Sequence, residues 1–383
     1  MRILHTVAYY HPDYGGGAQE VVRQLSERLV RRGHEVTVAT TFSPNRQVFE
    51  HNGVRIRDFK IYGVLNHSTL GIRGDVEDYS CYLREGQFDL LMNYAAQTWC
   101  TDLACRLLPE IRARKVLTPC GYSGLIGARR LVYWPYFLQL PRYLHQYDSV
   151  VYHSWNYIDK AFGDTHGITN YRIIPNGIDV REFQRPAIDF RSVYDIQTKY
   201  MLLTVGNHFT NKGHDRVLEA FGILERDDVT LVIIGKDSAP WYRSCWKKCF
   251  HEAYRSGGRI RVIDDTPRSH VIAAFFAADL FLSGSRIEVF PLVIVEAMAS
   301  GTPFVAFPAG NIDEMPGGVL VRAAPQMAVE IVRLLEDEEK RRELGKEGLS
   351  EQRARYDWEV VVDQYERLYR ELLLSDRMIS KPA

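Results

Sequence analysis

Residues 285–301 read SRIEVFPLVIVEAMASG and predict an α-helix with one carboxylate before its start, Glu288, and one inside it, Glu296. Pro291 suits the first helical position, where its missing N–H costs nothing, and Gly301 is a typical residue at a helix end. The free N–H groups of a first helical turn bind phosphate, and carboxylates accept hydrogen bonds from sugar hydroxyls. The stretch therefore favours phosphate and polyol recognition on one element, although the spacing alone is more typical of two solvated surface glutamates.

The composition is that of an ordinary globular protein. The chain has 383 residues, of which 46% are hydrophobic and 25% charged, and this length suits two domains. Lys plus Arg and Asp plus Glu both number 48, so no overall charge favours nucleic acid, and we expect no nucleic-acid partner. Six scattered cysteines do not predict a disulfide framework, so we expect reduced thiols.

The N-terminal residues 1–10 read as a first strand and lack the apolar core and cleavage site of a signal peptide. No apolar run reaches the roughly eighteen residues that a membrane-spanning helix needs. We therefore expect a cytoplasmic protein, or one that is peripheral at the inner face of the membrane.

Strand and helix patterns alternate along the chain. Residues 3–9, 19–32 and 34–41 have the patterns of strand, helix and strand, and the alternation starts again at residues 200–205. Such alternation predicts parallel sheets, so the expected fold class is α/β with two Rossmann-like domains in tandem. Ligands of such sheets bind beyond the carboxyl ends of the strands.

The apolar periodicity lapses between residues 179 and 199, where charged residues and Pro186 intrude, and this is typical of a linker. Helical spacing returns over residues 358–374. The sequence predicts an N-terminal domain over 1–183, a linker over 184–199, a C-terminal domain over 200–356 and a terminal helix within 357–383.

A glycine-rich loop, PDYGGGA at 12–18, joins the first strand to the first helix. Its glycines let the backbone approach a ligand and leave amides free at the helix start, so Gly16 and Gly17 are candidate contacts to a phosphate or sugar. The loop does not match the dinucleotide fingerprint, and Thr40 and Thr41 stand where that fingerprint needs an acidic residue. A flexible turn is the alternative interpretation.

The strand predicted over residues 201–205 ends in GNHFTNKGH at 206–214. Gly206 and Asn207 follow the strand directly. Lys212 lies beside a glycine and a helix start, where its charge can neutralise a diphosphate. A solvated loop lysine is the alternative interpretation.

Together these segments resemble the retaining family-4 glycosyltransferases of GT-B fold, also described as glycosyl transferases group 1. The motifs that carry the resemblance occur in the family's order over nearly the whole chain: the glycine loop, GHEVTV at 33–38, PNGID at 175–179, Gly206 with Lys212, and residues 288–301. The resemblance implies two Rossmann-like parallel-sheet domains facing a central cleft, with the helix in 357–383 crossing back to the first domain. It also implies a nucleotide-sugar donor held by the second domain, an acceptor held by the first, and metal-independent transfer that retains the anomeric configuration.

Carried over to this sequence, the resemblance assigns Lys212 to the donor diphosphate, Glu288 to the donor sugar and Glu296 to the ribose hydroxyls. Lys212 and Glu288 are the predicted catalytic residues. The predicted donor-binding residues are Gly16, Gly17, Gly206, Asn207, Phe290, Pro291, Leu292, Val293 and Glu296. No metal and no cofactor is implied, since the UDP- or GDP-linked sugar is a substrate.

Three positions depart from the family pattern. Asn207 stands where many members have an arginine, which leaves Arg286 or Arg243 as the candidate second cation for the diphosphate. Cys120 stands where many members have a histidine near the sugar, and a small core thiol is the preferred interpretation. Pro291 follows the phenylalanine where a glycine is common, and it removes one amide donor.

Two further segments have patterns of their own. Cys245 and Cys249, with His251 nearby, resemble half of a zinc site, but no second ligand pair accompanies them and we assign no metal. Residues 129–143 combine aromatic residues with arginines, a mix typical of an interfacial membrane segment or of contact with a lipid-carrying acceptor. A helix packed in the first domain is the preferred interpretation.

We therefore expect a glycosyltransferase of polysaccharide biosynthesis that adds a sugar to a glycan, a glycolipid or another hydroxyl acceptor. Two alternatives stay open at this point. One is a GT-B isomerase that acts on a nucleotide sugar, of the 2-epimerase type, and the other is a catalytically silent nucleotide-sugar-binding protein.

Overall fold

The computed structural model describes residues 1–10, 17–63, 71–184, 186–236 and 243–379. Contacts divide the chain into two compact units. Met1–Asn176 and Trp358–Ala383 form the first unit, and Gly177–Asp357 form the second.

Strands and helices alternate through both units. Up to residue 176 the elements are β1 (Arg2–Thr6), α1 (Gly17–Arg31), β2 (Glu35–Thr41), β3 (Glu50–His51), β4 (Val54–Phe59), β5 (Ile61–Tyr62), β6 (Arg73–Gly74), α2 (Val76–Glu85), β7 (Leu90–Tyr94), α3 (Trp99–Leu107), β8 (Arg114–Thr118), α4 (Arg129–Leu144), β9 (Ser149–Tyr152), α5 (Ile158–Thr165) and β10 (Tyr171–Ile173). After it they are α6 (Phe190–Val193), β11 (Tyr200–Val205), α7 (His214–Ile223), β12 (Val229–Gly235), α8 (Arg243–Arg255), β13 (Ile260–Asp264), α9 (Arg268–Ala277), β14 (Leu280–Ser283), α10 (Leu292–Ser300), β15 (Phe304–Ala306), β16 (Gly318–Leu320), α11 (Ala324–Glu336), α12 (Glu338–Arg355) and α13 (Trp358–Ile379). None of the helices in the described ranges is both long and apolar enough to span a membrane.

The sheet of the first unit has eight strands in the order β10-β9-β8-β7-β1-β2-β4-β3. All neighbouring strands are parallel except β3 and β4. Strands that are covered on both faces need continuous apolar runs, and β7, which reads LLMNY, is buried throughout. The strand order reverses between β1 and β7.

The sheet of the second unit has six parallel strands in the order β13-β12-β11-β14-β15-β16. Strand β12 reads VTLVIIG, and its first six residues are buried. The strand order reverses between β11 and β14. Two parallel sheets with intervening helices confirm the predicted α/β class and its two Rossmann-like units.

The C-terminal helix α13 belongs to the first unit, as the resemblance implied. It packs against α1, and Glu359 on α13 pairs with Arg28 on α1 at 3.1 Å. The α13 side chains buried in the core of the first unit are Trp358, Val361, Val362, Tyr365, Leu368 and Tyr369.

The division between the units falls at Asn176 and Gly177, seven residues before the predicted boundary. Residues 184–199, predicted as a linker, contain the one-turn helix α6, which Asp189 caps by accepting a hydrogen bond from the Ser192 amide at 3.2 Å. This turn places Phe190, which is 1% exposed, in the core of the second unit. A single buried turn is too short to produce the periodicity that sequence patterns detect.

Two loops of the second unit touch through their backbones where the strand order reverses. We call residues 206–213, which follow β11, the lysine loop, and residues 284–291, which follow β14, the glutamate loop. A β-carbon added to Gly213 would lie 1.8 Å from the Gly284 carbonyl oxygen, and one added to Gly284 would lie 2.1 Å from the Gly213 carbonyl oxygen. Only glycines permit this approach.

We predict that Gly213→Ala costs more stability than Gly257→Ala. Both glycines lie in the second unit with left-handed backbone, φ +66° and φ +61°, so both variants bear about 1–2 kcal/mol of strain. A methyl group at Gly257 would meet nothing within 4 Å, whereas at Gly213 it meets a carbonyl. We expect the loss at Gly213 to be larger by about 1–3 kcal/mol, as measured by urea denaturation. Equal losses would show that the two loops are not in backbone contact.

Candidate active site

The candidate site of the second unit lies at the carboxyl ends of β11 and β14, where the strand order reverses. Open parallel sheets bind their ligands at such a switch point because the loops on either side of it diverge. The lysine loop and the glutamate loop both start there. The strand order thus brings together two segments that are more than seventy residues apart in sequence.

The structure brings Lys212 and Glu288 into contact. Lys212 Nζ donates a hydrogen bond to Glu288 Oε1 at 2.8 Å, and Ser285 Oγ donates to the same oxygen at 2.8 Å. The Glu288 side chain is 10% exposed and that of Lys212 is 27% exposed, so the pair is partly desolvated but accessible to a ligand. No other side chain in the described ranges hydrogen-bonds to this carboxylate, which leaves Oε2 as an available acceptor.

Arg286 links the glutamate loop to the lysine loop through hydrogen bonds. Its backbone N–H donates to the Asn211 carbonyl at 2.7 Å, and its guanidinium donates to the Thr210 carbonyl at 2.9 Å. The guanidinium also forms a bidentate pair with Asp215 at 2.8 and 2.7 Å and lowers the pKa of that carboxyl below its usual value. The Arg286 guanidinium is therefore engaged both with the lysine loop and with the first turn of α7. The side chain of Arg243 lies outside the described residues.

Helix α10 begins at Leu292, one residue later than predicted. Pro291 is the residue before the helix, with φ −77° and ψ 91°, because its ψ is not helical. The amides of Leu292 and Val293 fall in the first turn, where N–H groups have no partner inside the helix. Gly301, with φ +72°, ends the helix as predicted.

The Phe290 side chain is 7% exposed and packs edge-to-face against Tyr356, with ring centroids 5.8 Å apart. It belongs to the core of the second unit. Its predicted contribution to donor binding can therefore come only from its backbone.

Glu296 lies in the second turn of α10 and has a partner of its own. It is 8% exposed and pairs with Arg268 at 2.5 Å, and Arg268 also contacts Glu182 at 3.4 Å. Burial raises the pKa of Glu296 above its usual value, and the Arg268 guanidinium opposes that shift. Arg268 could not be predicted from the sequence, because no motif marks the first residue of α9.

Gly206 and Asn207 are the first two residues of the lysine loop. A β-carbon on Gly206 would lie 3.6 Å from the Lys212 side chain, an ordinary contact, so the fold itself does not require glycine there. Asn207 is exposed. Both positions have room for a ligand.

The first unit contributes strained backbone at the carboxyl ends of β7 and β8. Ala95, Gln97 and Cys120 have φ of 69°, 60° and 56°, a region that side-chain-bearing residues seldom occupy. Such strain concentrates at functional sites, so this edge is a candidate ligand site of the first unit. Gly17 begins α1 at the same edge of the sheet, after β1, and Gly16 lies outside the described residues.

The surroundings of Cys120 are those expected for a small core thiol. Its side chain packs against the core of the first unit, and burial raises its pKa to about 11. The thiol is therefore neutral at physiological pH.

We predict that Arg268→Met lowers the free energy of unfolding more at pH 8 than at pH 5. The Glu296 pKa is already above its unfolded value, and without Arg268 it rises further, so the destabilisation grows as pH rises through that pKa. Chemical denaturation at both pH values measures the difference. In the Glu296→Gln background the Arg268→Met loss should no longer depend on pH, and an undiminished pH dependence there would refute the pairing.

Comparison with known families extends over most of the chain. The family model described as Glycosyltransferase Family 4 matches residues 15–182, and the one described as Glycosyl transferases group 1 matches residues 188–350. The first match covers most of the first unit up to residue 176, and the second covers most of the second unit.

Individual glycosyltransferases and one solved structure are similar to this chain over nearly its whole length. N-acetyl-alpha-D-glucosaminyl L-malate synthase of Bacillus anthracis is 25% identical, covering 94% of this chain and 96% of that protein. O-antigen chain mannosyltransferase C of Escherichia coli is 24% identical, covering 98% and 100%. The structure of Anabaena Alr3699/HepE in complex with UDP-glucose superposes with a TM-score of 0.74 at 18% identity, covering 98% of this chain and 100% of that chain. Family models match both parts of the chain, and the chain folds into two Rossmann-like units. The protein therefore belongs to the GT-B glycosyltransferases of family 4 and group 1.

Proposed function

We propose that this glycosyltransferase moves a sugar from a nucleotide-sugar donor to a hydroxyl of a glycan or lipid-linked acceptor, with retained anomeric configuration and without a catalytic metal. The observation that carries the proposal is the contact between Lys212 and Glu288 beside the start of α10. This contact places one cation, one carboxylate and a set of helix amides at the switch point of the second sheet.

The diphosphate of the donor is assigned to Lys212 and the first turn of α10. A nucleoside diphosphate gains negative charge as the glycosidic bond breaks, and fixed cations and amides stabilise that charge without reorganising. Lys212 is already held by Glu288, so its ammonium group needs little ordering when the donor binds. Asn207 adds no charge, so in this proposal Lys212 carries most of the cationic stabilisation.

The donor sugar is assigned to Glu288. Lys212 and Ser285 both bind Oε1 and thereby fix the carboxylate plane. Oε2 can then accept a hydrogen bond from a sugar hydroxyl, in an orientation set before the sugar arrives. The ribose hydroxyls are assigned to Glu296, whose carboxylate Arg268 holds in place.

Retention follows if the acceptor attacks the face that the diphosphate leaves. The departing phosphate oxygen then takes the proton of the acceptor hydroxyl, and the new glycosidic bond forms where the old one broke. Glu288, hydrogen-bonded by two donors at one oxygen, is suited to orient the sugar rather than to attack it. This route needs no protein nucleophile.

Two similarities support the substrate classes. The Anabaena protein was solved with UDP-glucose, so UDP-sugars are the first donors to test. The Escherichia coli relative is a mannosyltransferase of the O-antigen chain by name, which supports a glycan acceptor and leaves GDP-linked sugars as the second donor class.

Peripheral membrane contact is a second part of the proposal. Helix α4 buries Phe137 and Leu140, whereas Leu131, Trp134 and Leu138 are 71%, 58% and 64% exposed at helical spacing. An exposed apolar stripe beside arginines is typical of interfacial helices.

The paired substitution Trp134→Ser with Leu138→Ser should reduce flotation with phosphatidylglycerol vesicles by about tenfold or more, since it removes two exposed apolar side chains. Val329→Ser is the control, because Val329 is 65% exposed on α11. Absence of vesicle binding by the unsubstituted chain would refute membrane contact.

Lys212→Met should reduce turnover by about 10²–10³-fold, because the variant loses the charge that stabilises the leaving diphosphate. The assay incubates the chain with UDP- and GDP-sugars, with and without added Mg²⁺ or Mn²⁺, and measures nucleoside diphosphate release. Glu288→Gln should also reduce turnover while the melting temperature confirms the fold.

Lys340→Met is the matched control, since the Lys340 side chain is 38% exposed on α12, where it pairs with Glu343 at 2.7 Å, and this variant should keep full turnover. Release of an epimerised free donor, or full turnover in Lys212→Met, would overturn the proposal. Turnover that appears only with added divalent metal would refute the metal-independent step.

A further inference from the structure

Four potential metal ligands converge in the second unit, beside the lysine loop. They are His208, His214, Cys245 and Cys249, and their ligand atoms all lie within 4.8 Å of one another. The two cysteines have His251 near them in sequence, but that histidine is exposed and lies outside this group. The two histidines that complete the set lie thirty and more residues earlier in the chain.

Three elements bring the four side chains together. His208 lies in the lysine loop, and its backbone N–H donates to the Lys236 carbonyl at 3.2 Å. His214 is the first residue of α7, directly after the left-handed Gly213. Cys245 and Cys249 lie one turn apart on α8, so their side chains share a face of that helix.

The interatomic distances are close to those of a tetrahedral site. Cys245 Sγ lies 3.9 Å from Nδ1 of both His208 and His214, and Cys249 Sγ lies 3.8 Å from His214 Nδ1. With zinc–sulfur bonds of about 2.3 Å and zinc–nitrogen bonds of about 2.0–2.1 Å, a tetrahedron requires S···N separations of about 3.6 Å. These three S···N separations need to contract by only a few tenths of an ångström, and the remaining separations among the four ligand atoms are within 4.8 Å.

Three of these four side chains are buried, where polar groups without strong partners are costly. His208, His214 and Cys249 are 1%, 1% and 0% exposed. Within the described residues, the long contacts to sulfur are the only hydrogen bonds of the two imidazoles, and both Nε2 atoms are buried without a partner. Buried polar groups are usually satisfied, and a metal bond at each Nδ1 would give both imidazoles a strong interaction in place of the long contacts to sulfur.

We propose that His208, His214, Cys245 and Cys249 bind one zinc ion in a closed Cys₂His₂ site. Two thiolates and two imidazoles are ligands that zinc prefers, and the spacings, five residues between the histidines and three between the cysteines, fall in the range of structural zinc sites. Four protein ligands leave no open position, so the ion is structural and takes no part in transfer. This proposal revises the assignment of no metal that the sequence suggested.

The site has a consequence for the lysine loop. His208 and His214 stand on either side of Lys212 in sequence, so one ion bound to both ties each end of that segment to α8. Lys212 is then held at a fixed distance from the glutamate loop. The proposal does not depend on the transferase reaction, because metal content is measured apart from turnover.

The test measures zinc in the full chain, produced without a histidine tag in zinc-supplemented medium and passed through metal-free buffer. Inductively coupled plasma mass spectrometry should find about one zinc per chain. Cys249→Ser and His214→Gln should lose that zinc, whereas the controls Cys81→Ser and His251→Gln should keep it. Zinc at full stoichiometry in Cys249→Ser with His214→Gln, or none in the unsubstituted chain, would overturn the proposal.

A second measurement covers the case in which those variants fail to fold. Titration of the unsubstituted chain with a mercurial thiol reagent should release zinc in step with the modification of two cysteines. Replacement of zinc by cobalt should give the visible absorption of a tetrahedral ion with thiolate charge transfer. A chain isolated with a disulfide between Cys245 and Cys249, or cobalt bound without thiolate charge transfer, would also overturn the assignment.

Discussion

The backbone contact between Gly213 and Gly284 is the constraint on which the candidate active site depends. It lies where the strand order reverses, and it holds the ends of two loops closer than any side-chain-bearing residue would allow. Lys212 directly precedes one of these glycines, and the loop that carries Glu288 begins at the other, so the 2.8 Å ion pair follows from backbone geometry rather than from the reach of a flexible lysine. Arg286 reinforces the same contact through Asn211 and Asp215.

The two carboxylates of residues 285–301 have different electrostatic environments despite lying on one segment. Glu288 is held by a lysine and a hydroxyl at one oxygen and keeps the other for a ligand. Glu296 is buried on the helix, and Arg268 balances its charge. Removing either cation would leave a poorly solvated carboxylate, which is costly in a protein interior. The protein itself therefore holds the charges of the site in place, as the proposed stabilisation of a leaving diphosphate requires.

Much of this architecture could be predicted from the sequence, because parallel strands covered on both faces need long apolar runs and their carboxyl ends share one edge. Lys212 and Glu288 each follow such a strand, so their position at this edge could be predicted, although their contact depends on strand order. The partners of Glu296, Arg286 and Cys245 could not be predicted, because Arg268, Asp215 and the two histidines lie on other elements and no local pattern marks a pairing across a fold. Helix α6 could not be predicted because a single turn has no periodicity. The sequence predicts that α10 begins at Pro291 rather than at Leu292, because the ψ angle of the proline cannot be read from a sequence.

The most direct test of the central claim is a crystal structure of the full chain with a UDP- or GDP-sugar bound. We expect the diphosphate to lie within about 3 Å of Lys212 Nζ and of the first-turn amides of α10, with the sugar hydroxyls against Glu288. A diphosphate bound away from the carboxyl ends of β11 and β14, with the contact between Lys212 and Glu288 unchanged, would contradict it.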